Sequence, residues 1–364
     1  MLKRHPFFKL LLKIILVITV SITTFVLCFV VLFIVLTASL ISAASVNTDD
    51  FSSTLPKSYK TLYGEKESTN KLLSVRVSGV ILTEKEGFEN PLSFLESGVT
   101  YGYDVKKELY DAAKDESIKG VILEINSPGG TITGSHAIAD GVAYYKKVTN
   151  KPVISFISGL GASGGYWSSI AADYVIADYG STIGSIGVIF GPFKYYDQVV
   201  SEDGGAFLGG VVTQNGIETT YFTAGKSKDI GNPYRQLTTE ETRLLQQLVN
   251  NEYDEFVRFV AARRKIPGET IRNSIGALVY DNKLAEQNRL IDATMHKEAS
   301  YEELADRIGV KDDNFQIVAI KREPGIAEAL FGAINQIPAK KVGSICSLSS
   351  VALAYHGNVN SLCQ

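Results

Sequence analysis

The stretch Pro152-Val-Ile-Ser-Phe-Ile-Ser-Gly-Leu-Gly-Ala-Ser163-Gly-Gly-Tyr-Trp167 decides how the rest of the chain is interpreted. Its first half is an apolar run typical of a buried strand, and the small residues 168–172 after it suit a packed helix. A serine between glycines at a strand-to-helix turn is a position where a nucleophile can stand beside backbone N–H groups. The same pattern is typical of a glycine-rich turn whose serine caps a helix. The flanking sequence has to separate the two interpretations.

Other segments of the chain repeat this order of strand and glycine-rich turn. Val121–Ile125 predicts a strand that Asn126-Ser-Pro-Gly-Gly-Thr131 should break sharply, and residues 174–177 predict a strand that leads into the glycine-rich segment 180–187. Helices are predicted between the strands, at residues 105–114 and 135–147. Strands that alternate with helices predict an α/β fold with βαβ units and a largely parallel sheet. The glycine-rich turns follow the carboxyl ends of the strands, where open α/β sheets form their sites.

The N-terminus predicts a membrane anchor. Lys3, Arg4, Lys9 and Lys13 precede an uncharged apolar run that extends from Ile14 to about residue 44. About 20 apolar residues span a bilayer as a helix, and the core of a cleavable signal peptide has only about 7–15. We therefore expect one uncleaved transmembrane helix, with the N-terminus in the cytoplasm and the remaining chain on the far side. Cleavage near residues 42–44 is the alternative.

Composition excludes several classes of function. The chain has 364 residues and a net charge of −3, which does not favour nucleic-acid binding. Its four histidines are scattered, and its cysteines (Cys28, Cys346 and Cys363) form no cluster with metal-ligand spacing, so we expect no metal and no other cofactor. Cys346 and Cys363 could pair if the tail lies outside the cytoplasm.

Two mechanisms compete for Ser163. Residues 161–165 fit the pattern Gly-x-Ser-x-Gly, which in α/β-hydrolases requires an acid and then a histidine downstream. His296 lies in a charged, surface-like stretch and His356 lies in the tail, and the sequence provides neither with a positioning context. A Ser-His-Asp esterase therefore remains the alternative.

A lysine is the other possible base. A serine hydroxyl needs a group that takes its proton, and a lysine can do so only when burial lowers its pKa by several units. Lys228 is the candidate because it follows a predicted strand, residues 219–224, and a glycine that could deliver its side chain into a closed site. Lys226 is the rival, two residues earlier.

Four segments resemble a known family in their order and approximate spacing. They are Asn126-Ser-Pro-Gly-Gly-Thr131, Gly161-Ala-Ser-Gly-Gly-Tyr-Trp167, Ser181-Thr-Ile-Gly-Ser-Ile-Gly-Val188 and Thr223-Ala-Gly-Lys-Ser-Lys-Asp-Ile-Gly-Asn-Pro-Tyr-Arg235. The family is that of signal peptide peptidase A (protease IV), and the resemblance extends from about Leu72 to Lys321. It implies a ClpP/crotonase-like fold and a Ser-Lys dyad. The expected regions are the basic tip and transmembrane anchor (1–45), a linker (46–70), the ClpP/crotonase-like serine peptidase domain (71–322), and a C-terminal helix and tail (323–364).

The resemblance implies a role for each matching residue. Ser163 resembles the nucleophile and Lys228 the general base. Ser185 resembles the serine that hydrogen-bonds the lysine and orients it. One of Gly129 and Gly130 would donate its N–H to the oxyanion, and Gly164 would supply the second N–H.

One position departs from the family pattern. The family usually has Gly-Leu-Val-Asp after the late helix, whereas this chain has Arg289-Leu-Ile-Asp292. We expect Asn288 to adopt the left-handed conformation that the missing glycine would have had.

The resemblance also implies a function and a location. It implies a serine endopeptidase on a single-pass anchor in a bacterial inner membrane, with an extracytoplasmic (periplasmic) catalytic domain. The substrates would be membrane-associated peptides such as released signal peptides. A single copy of the domain implies a homo-oligomeric ring in which a neighbouring subunit could donate Lys228. The alternatives are a crotonase-type CoA enzyme and an inactive crotonase-fold scaffold. One hypothesis for the tail is that it folds back toward the active site.

Overall fold

The structure, a computed structural model, describes residues 6–44, 58–84, 98–193, 195, 201–202, 211–212, 222–311, 314–321 and 353–357. The chain divides into two compact units, residues 1–58 and 59–364. Each unit is described by itself.

The first unit contains one long helix, α1 (Pro6–Ala44), as the apolar run predicts. Its segment Lys13–Leu32 has a mean hydropathy of 2.9 and is long and apolar enough to cross a membrane. A helix of 39 residues is about 58 Å long, which exceeds the roughly 30 Å of a bilayer core. The direction in which this helix would cross a membrane stays a prediction.

The second unit is built on a mixed sheet. Among the described residues, eleven strands form one sheet and two short strands form another. The strands are β1 (Tyr59–Gly64), β2 (Lys71–Leu82), β3 (Val99–Tyr101), β4 (Ile118–Thr131), β5 (Val153–Ala162), β6 (Tyr174–Ala177), β7 (Thr182–Gly184), β8 (Ser201–Glu202), β9 (Val211–Val212), β10 (Val279–Tyr280), β11 (Ala293–Thr294), β12 (Gln316–Ile320) and β13 (Leu353–Tyr355).

The centre of the large sheet is parallel. Its main path runs β1-β12-β2-β4-β5-β6-β11, and parallel ladders join each neighbouring pair from β12 to β11. Strand β1 pairs antiparallel with β12 at the edge. Strand β7 continues alongside the end of β5, and β13 pairs antiparallel with the end of β4. Strand β4 therefore lies in the middle of the sheet, and its carboxyl end has a further partner.

Helices cover both faces of this sheet. They are α2 (Gly102–Ala112), α3 (Ile132–Thr149), α4 (Gly164–Ser169), α5 (Thr239–Arg264), α6 (Asn282–Gln287) and α7 (Lys297–Arg307), with a short helix at Gly268–Thr270 that leads into a π-helix at Ile271–Ile275. Alternate residues of β4 point to opposite faces, so Val121 and Leu123 join one core and Ile122 joins the other. Two buried cores lie on this sheet, and its parallel centre agrees with the α/β fold that the sequence predicts.

The structure differs from the sequence-based expectations at several elements. Strand β4 continues through residues 126–131, with a break in register between Ile125 and Ser127, instead of ending at Asn126. Gly129 adopts a positive φ of 93°, which lets the chain bend without leaving the sheet. Strand β1 lies inside the stretch 46–70 expected to be a linker, because it pairs with β12.

Of the strand expected at residues 219–224, the structure describes only Phe222, Thr223 and Ala224, and these three residues form no strand. The left-handed residue after α6 is Arg289 (φ 58°), whereas Asn288 has a φ of −81°. The Asn288 prediction is therefore wrong. In this conformation the Arg289 carbonyl accepts the Arg264 Nε–H at 2.7 Å. The predicted helix after residue 323, Cys346 and Cys363 lie outside the described residues.

Candidate active site

Ser163 lies at the turn between β5 and α4, in a backbone conformation that few serines adopt. Its φ and ψ are 53° and −118°, and its side chain is fully buried. The Ser163 N–H donates to the Gly184 carbonyl at 2.8 Å, because β7 continues the ladder to the last residue of β5. The Ser163 Oγ lies 3.4 Å from the Gly187 carbonyl. A strained polar residue held by its neighbours is a feature of functional sites.

Two glycines approach each other beside this serine. A Cβ built on Gly129 would lie 2.6 Å from the Gly164 nitrogen, and one built on Gly164 would lie 3.2 Å from the Gly129 Cα. No side chain fits between the end of β4 and the start of α4. The Gly129 N–H donates to Ser127 Oγ at 3.1 Å, whereas Gly130 pairs with a residue of β13. Glycine at these positions therefore permits a close approach of two backbones.

Ser185 lies directly after β7, next to the Ser163 turn in the sheet register. It is 6 % exposed and has a φ of 54°, and its N–H donates to the Leu278 carbonyl at 2.7 Å. Its Oγ lies 3.1 Å from the Nδ1 atom of His356. The structure therefore brings Ser163, Ser185 and the three predicted glycines to one end of the sheet.

Lys228 lies in a turn of a different part of the chain, and its side chain is exposed. Within the described residues, no hydrogen bond or ion pair joins it to Ser163 or Ser185. Lys226 forms an ion pair with Glu240 at the start of α5. Lys226 is therefore engaged elsewhere, while Lys228 is not brought to the Ser163 of its own chain.

The turn that carries Lys228 is anchored by Arg235. The Arg235 guanidinium donates to both carboxylate oxygens of Asp229, at 2.8 Å each, and to both oxygens of Glu241, at 2.9 Å each. Hydrogen bonds from this guanidinium lower the pKa of Asp229 to about 2. Glu241 also forms a capping box with Thr238 at the start of α5. One guanidinium therefore connects the Lys228 turn to the first turn of this helix.

The far end of α5 packs against α4. Trp167 is 1 % exposed, stacks on Phe259 with ring centroids 5.1 Å apart, and contacts Phe256 at 4.5 Å. Helix α5 thus has two contacts with the candidate site. Its carboxyl-terminal half packs against the helix that follows Ser163, and its amino terminus holds the Lys228 turn through Arg235.

The C-terminal strand β13 lies across the predicted site. Leu353, Ala354 and Tyr355 pair antiparallel with Thr131, Gly130 and Gly129, respectively. On its other edge, Leu353 exchanges two backbone hydrogen bonds with Ile189, at 2.8 and 2.9 Å. The hypothesis that the tail folds back toward this region is therefore supported for residues 353–357.

His356 is held in place by contacts that the sequence did not reveal. Its backbone N–H donates to the Pro128 carbonyl at 2.7 Å, and its ring contacts Ser185. Within the described residues, neither His356 nor His296 forms a hydrogen bond with Ser163, so the geometry does not support a Ser-His pair. No periodicity in residues 353–357 could have indicated this contact, because it joins residues 171 positions apart.

The fold and this site define a protein of the ClpP-like α/β class. Residues 97–176 match the sequence model described as Clp protease. Residues 145–311, a little under half of the chain, match the model described as Peptidase family S49.

Three relatives with similar sequences are named as proteases or as a signal peptide peptidase. A Methanocaldococcus jannaschii protein named "Putative protease" is 34 % identical over 60 % of this chain and 65 % of its own length. An Enterococcus faecium protein named "Putative signal peptide peptidase SppA" is 30 % identical over 66 % of this chain and 64 % of its own length. Protease 4 of Haemophilus influenzae is 30 % identical over 61 % of this chain and 32 % of its own length.

The matches therefore span less than two thirds of each of these relatives. A solved structure of a ClpP1 point mutant from Listeria monocytogenes is similar with a TM-score of 0.37 and 13 % identity, over 64 % of this chain and 94 % of that chain.

Proposed function

We propose that the chain is a serine endopeptidase in which Ser163 is the nucleophile and Lys228 the general base. The observation that carries this proposal is the peptide carbonyl beside the two glycines. A Cβ on Gly129 would lie 2.0 Å from the Ala354 carbonyl oxygen, and one on Gly164 would lie 2.9 Å from it. A peptide carbonyl therefore lies against the main chain at Gly129 and Gly164, and the residue that carries it, Ala354, pairs with Gly130 in the sheet.

The proposed reaction is acyl transfer through Ser163. A neutral lysine takes the proton of the Ser163 hydroxyl as its oxygen attacks the carbonyl carbon of the substrate peptide. The Gly164 and Gly130 N–H groups stabilise the oxyanion; Gly130 is assigned because the Gly129 N–H already donates to Ser127. The C–N bond then breaks, the proton passes to the leaving amine, and water hydrolyses the serine ester.

Lys228 is proposed to act on the Ser163 of a neighbouring copy. A lysine serves as a base only when it is buried enough to be neutral, whereas Lys228 is exposed in a single chain. The Arg235 contacts hold its turn in place, so a large movement toward its own Ser163 would have to break two carboxylate pairs. A head-to-tail ring would give every Ser163 a lysine from its neighbour.

The proposed substrates are membrane-associated peptides, such as released signal peptides, at the outer face of a bacterial inner membrane. The apolar helix α1 supports a single-pass anchor. The name of the Enterococcus faecium relative supports the substrate class.

The first test measures cleavage of an apolar fluorogenic peptide by the full chain in detergent. Ser163→Ala and Lys228→Ala should each abolish turnover, whereas Lys226→Ala, the matched control two residues away, should retain most of it. An active Lys228→Ala variant would exclude this lysine as the base, and a wild type that cleaves no apolar peptide would contradict the peptidase assignment.

The second test mixes the two inactive variants. If the lysine acts in trans, an equal mixture of Ser163→Ala and Lys228→Ala chains that exchange subunits should regain about one quarter of wild-type activity, because about one site in four combines an intact serine with an intact neighbouring lysine. If the dyad forms within one chain, the mixture stays inactive. Mixing is confirmed by co-purification of two affinity tags.

A further inference from the structure

We propose that Ser127 is a positioning residue for the reaction at Ser163. Its hydroxyl holds the Gly129 N–H within the protein, so that the Gly130 N–H is the one that meets the oxyanion. This inference rests on the proposed function. It gives a role to a buried serine that lies outside the predicted dyad.

The Ser127 hydroxyl is fully buried and both donates and accepts a hydrogen bond. It donates its proton to the Gly79 carbonyl at 2.6 Å and accepts the Gly129 N–H at 3.1 Å. Because a serine hydroxyl carries a single proton, the bond to Gly79 leaves only lone pairs for the Gly129 N–H. The directions of both bonds are therefore fixed, and a Gly129 N–H that turned toward a substrate would lose its partner inside the protein.

The local sequence favours this arrangement. A serine side chain that accepts the N–H two residues later forms a turn in the same way as a backbone carbonyl does. Pro128 lies between the two residues and has no N–H and a restricted φ, and Gly129 supplies a positive φ of 93°. The segment 126–130 therefore decides which of two successive N–H groups is engaged within the protein.

Ser127 also connects β4 to its neighbours on both sides. In the ladder of β4 with β2, Ser127 and Pro128 together lie opposite Gly79, so β4 has an extra residue at this point. The Ser127 hydroxyl joins the two strands across this bulge. A Cβ built on Gly165 would lie 2.6 Å from the Ser127 carbonyl oxygen, so the main chain of Ser127 also lies against the start of α4. One residue thus contacts both segments from which the proposed oxyanion donors come.

Loss of this hydroxyl should affect the transition state more than the bound substrate. In Ser127→Ala, the Gly129 N–H and the Gly79 carbonyl lose a buried partner, and β4 is free to shift relative to the Ser163 turn. We expect kcat to fall about 10–10²-fold with little change in KM, since misplacement by about 1 Å costs roughly 10²-fold in rate. The affinity for a peptide boronic acid, which forms a tetrahedral adduct with a serine, should fall by the same factor as kcat/KM.

The test measures kcat, KM and the inhibition constant of a peptide boronic acid for the full chain in detergent. Ser300→Ala is the matched control, because Ser300 in α7 is also fully buried and donates to the Lys297 carbonyl at 2.6 Å. Its kcat should equal that of wild type. If Ser127→Ala does not fold, Ser127→Cys fills nearly the same space with a weak hydrogen-bonding group and should show the same fall in kcat.

The sign of the effect separates the possible outcomes. A lower kcat with unchanged KM and weaker boronic acid binding supports the inference. If Gly129 were the oxyanion donor, Ser127→Ala would free its N–H and kcat would stay constant or rise, which would overturn the inference and leave Ser163 as the nucleophile. An equal fall in Ser300→Ala would also overturn it, because the loss would then follow from removal of any buried serine hydroxyl. A wild type that neither cleaves peptide nor binds the boronic acid would contradict the proposed function, and the inference with it.

Discussion

Substitution of Gly129 by alanine tests the close approach on which the oxyanion site depends. Gly129 has a φ of 93°, and an added Cβ would lie 2.6 Å from the Gly164 nitrogen. The same Cβ would lie 2.0 Å from the Ala354 carbonyl oxygen. Both neighbouring atoms belong to the main chain, so the contacts can be relieved only by moving β4 away from α4 and displacing β13. The backbone strain of a non-glycine residue at such a φ costs about 1–3 kcal/mol by itself.

The displacement should affect catalysis more than folding. Atoms as close as these have to move by several tenths of an ångström, and misplacement by about 1 Å costs roughly 10²-fold in rate. Loss of one oxyanion donor costs a similar factor, about 10²–10³. We therefore expect Gly129→Ala to lower kcat about 10²-fold and to reduce the free energy of unfolding by a few kcal/mol.

Gly98 provides a matched control, because it has nearly the same φ, 92°, and an added Cβ there meets no atom within 4 Å. Gly98→Ala should show the backbone strain without the displacement, so its kcat should stay near that of wild type. The assay is kcat on a fluorogenic peptide together with urea unfolding monitored by circular dichroism. If Gly129→Ala and Gly98→Ala show the same decrease in kcat and the same decrease in the free energy of unfolding, the close approach of Gly129 and Gly164 has no part in catalysis.

Two further predictions concern charged contacts. Arg235→Lys removes the paired guanidinium contacts that fix the Lys228 turn, so kcat should fall about 10-fold with little change in the circular dichroism spectrum; an unchanged kcat would show that the turn needs no such anchor. Burial opposes ionisation of Glu124, but hydrogen bonds from Lys297 and Tyr301 outweigh this effect, so the pKa of Glu124 is lowered. The carboxylate therefore stabilises the fold at neutral pH, and this stabilisation is lost as the pH falls through the folded pKa of Glu124. Lys297→Met should destabilise the protein at pH 7 by about 1–2 kcal/mol, less than for a fully buried pair because Lys297 is 39 % exposed, and by less at a pH below the folded pKa of Glu124, where the carboxyl is protonated. Urea unfolding at both pH values checks this, and an equal loss at both would contradict it.

Much of the fold was predictable because its signals are local. Apolar runs that end in glycine identify β4, β5 and β6, and the capping box identifies the start of α5. The boundaries were less accurate where a distant partner decides them. Strand β1 exists because β12 pairs with it, and β4 continues past Asn126 because β2 lies alongside its end.

The candidate site was predictable in its residue types and less so in its assembly. Local motifs placed Ser163, Ser185 and the glycines at turns, and the sheet register brings these turns together. The role of Arg289 was missed, since a left-handed arginine is stabilised here by Arg264 from another helix. The role of Lys228 as the general base stays a prediction. Because Lys228 is exposed in a single chain, we propose that it acts on the Ser163 of a second copy.

The sequence by itself determined the strand-to-helix turn that carries Ser163, because steric restrictions and backbone hydrogen bonds act among residues close in the chain. It also determined the long apolar helix at the N-terminus and the glycines that such a turn needs. Only the tertiary structure decided that His356 meets Ser185 and that Ala354 lies beside Gly129 and Gly164. These contacts join segments far apart in the chain, and they form because β13 pairs with the end of β4.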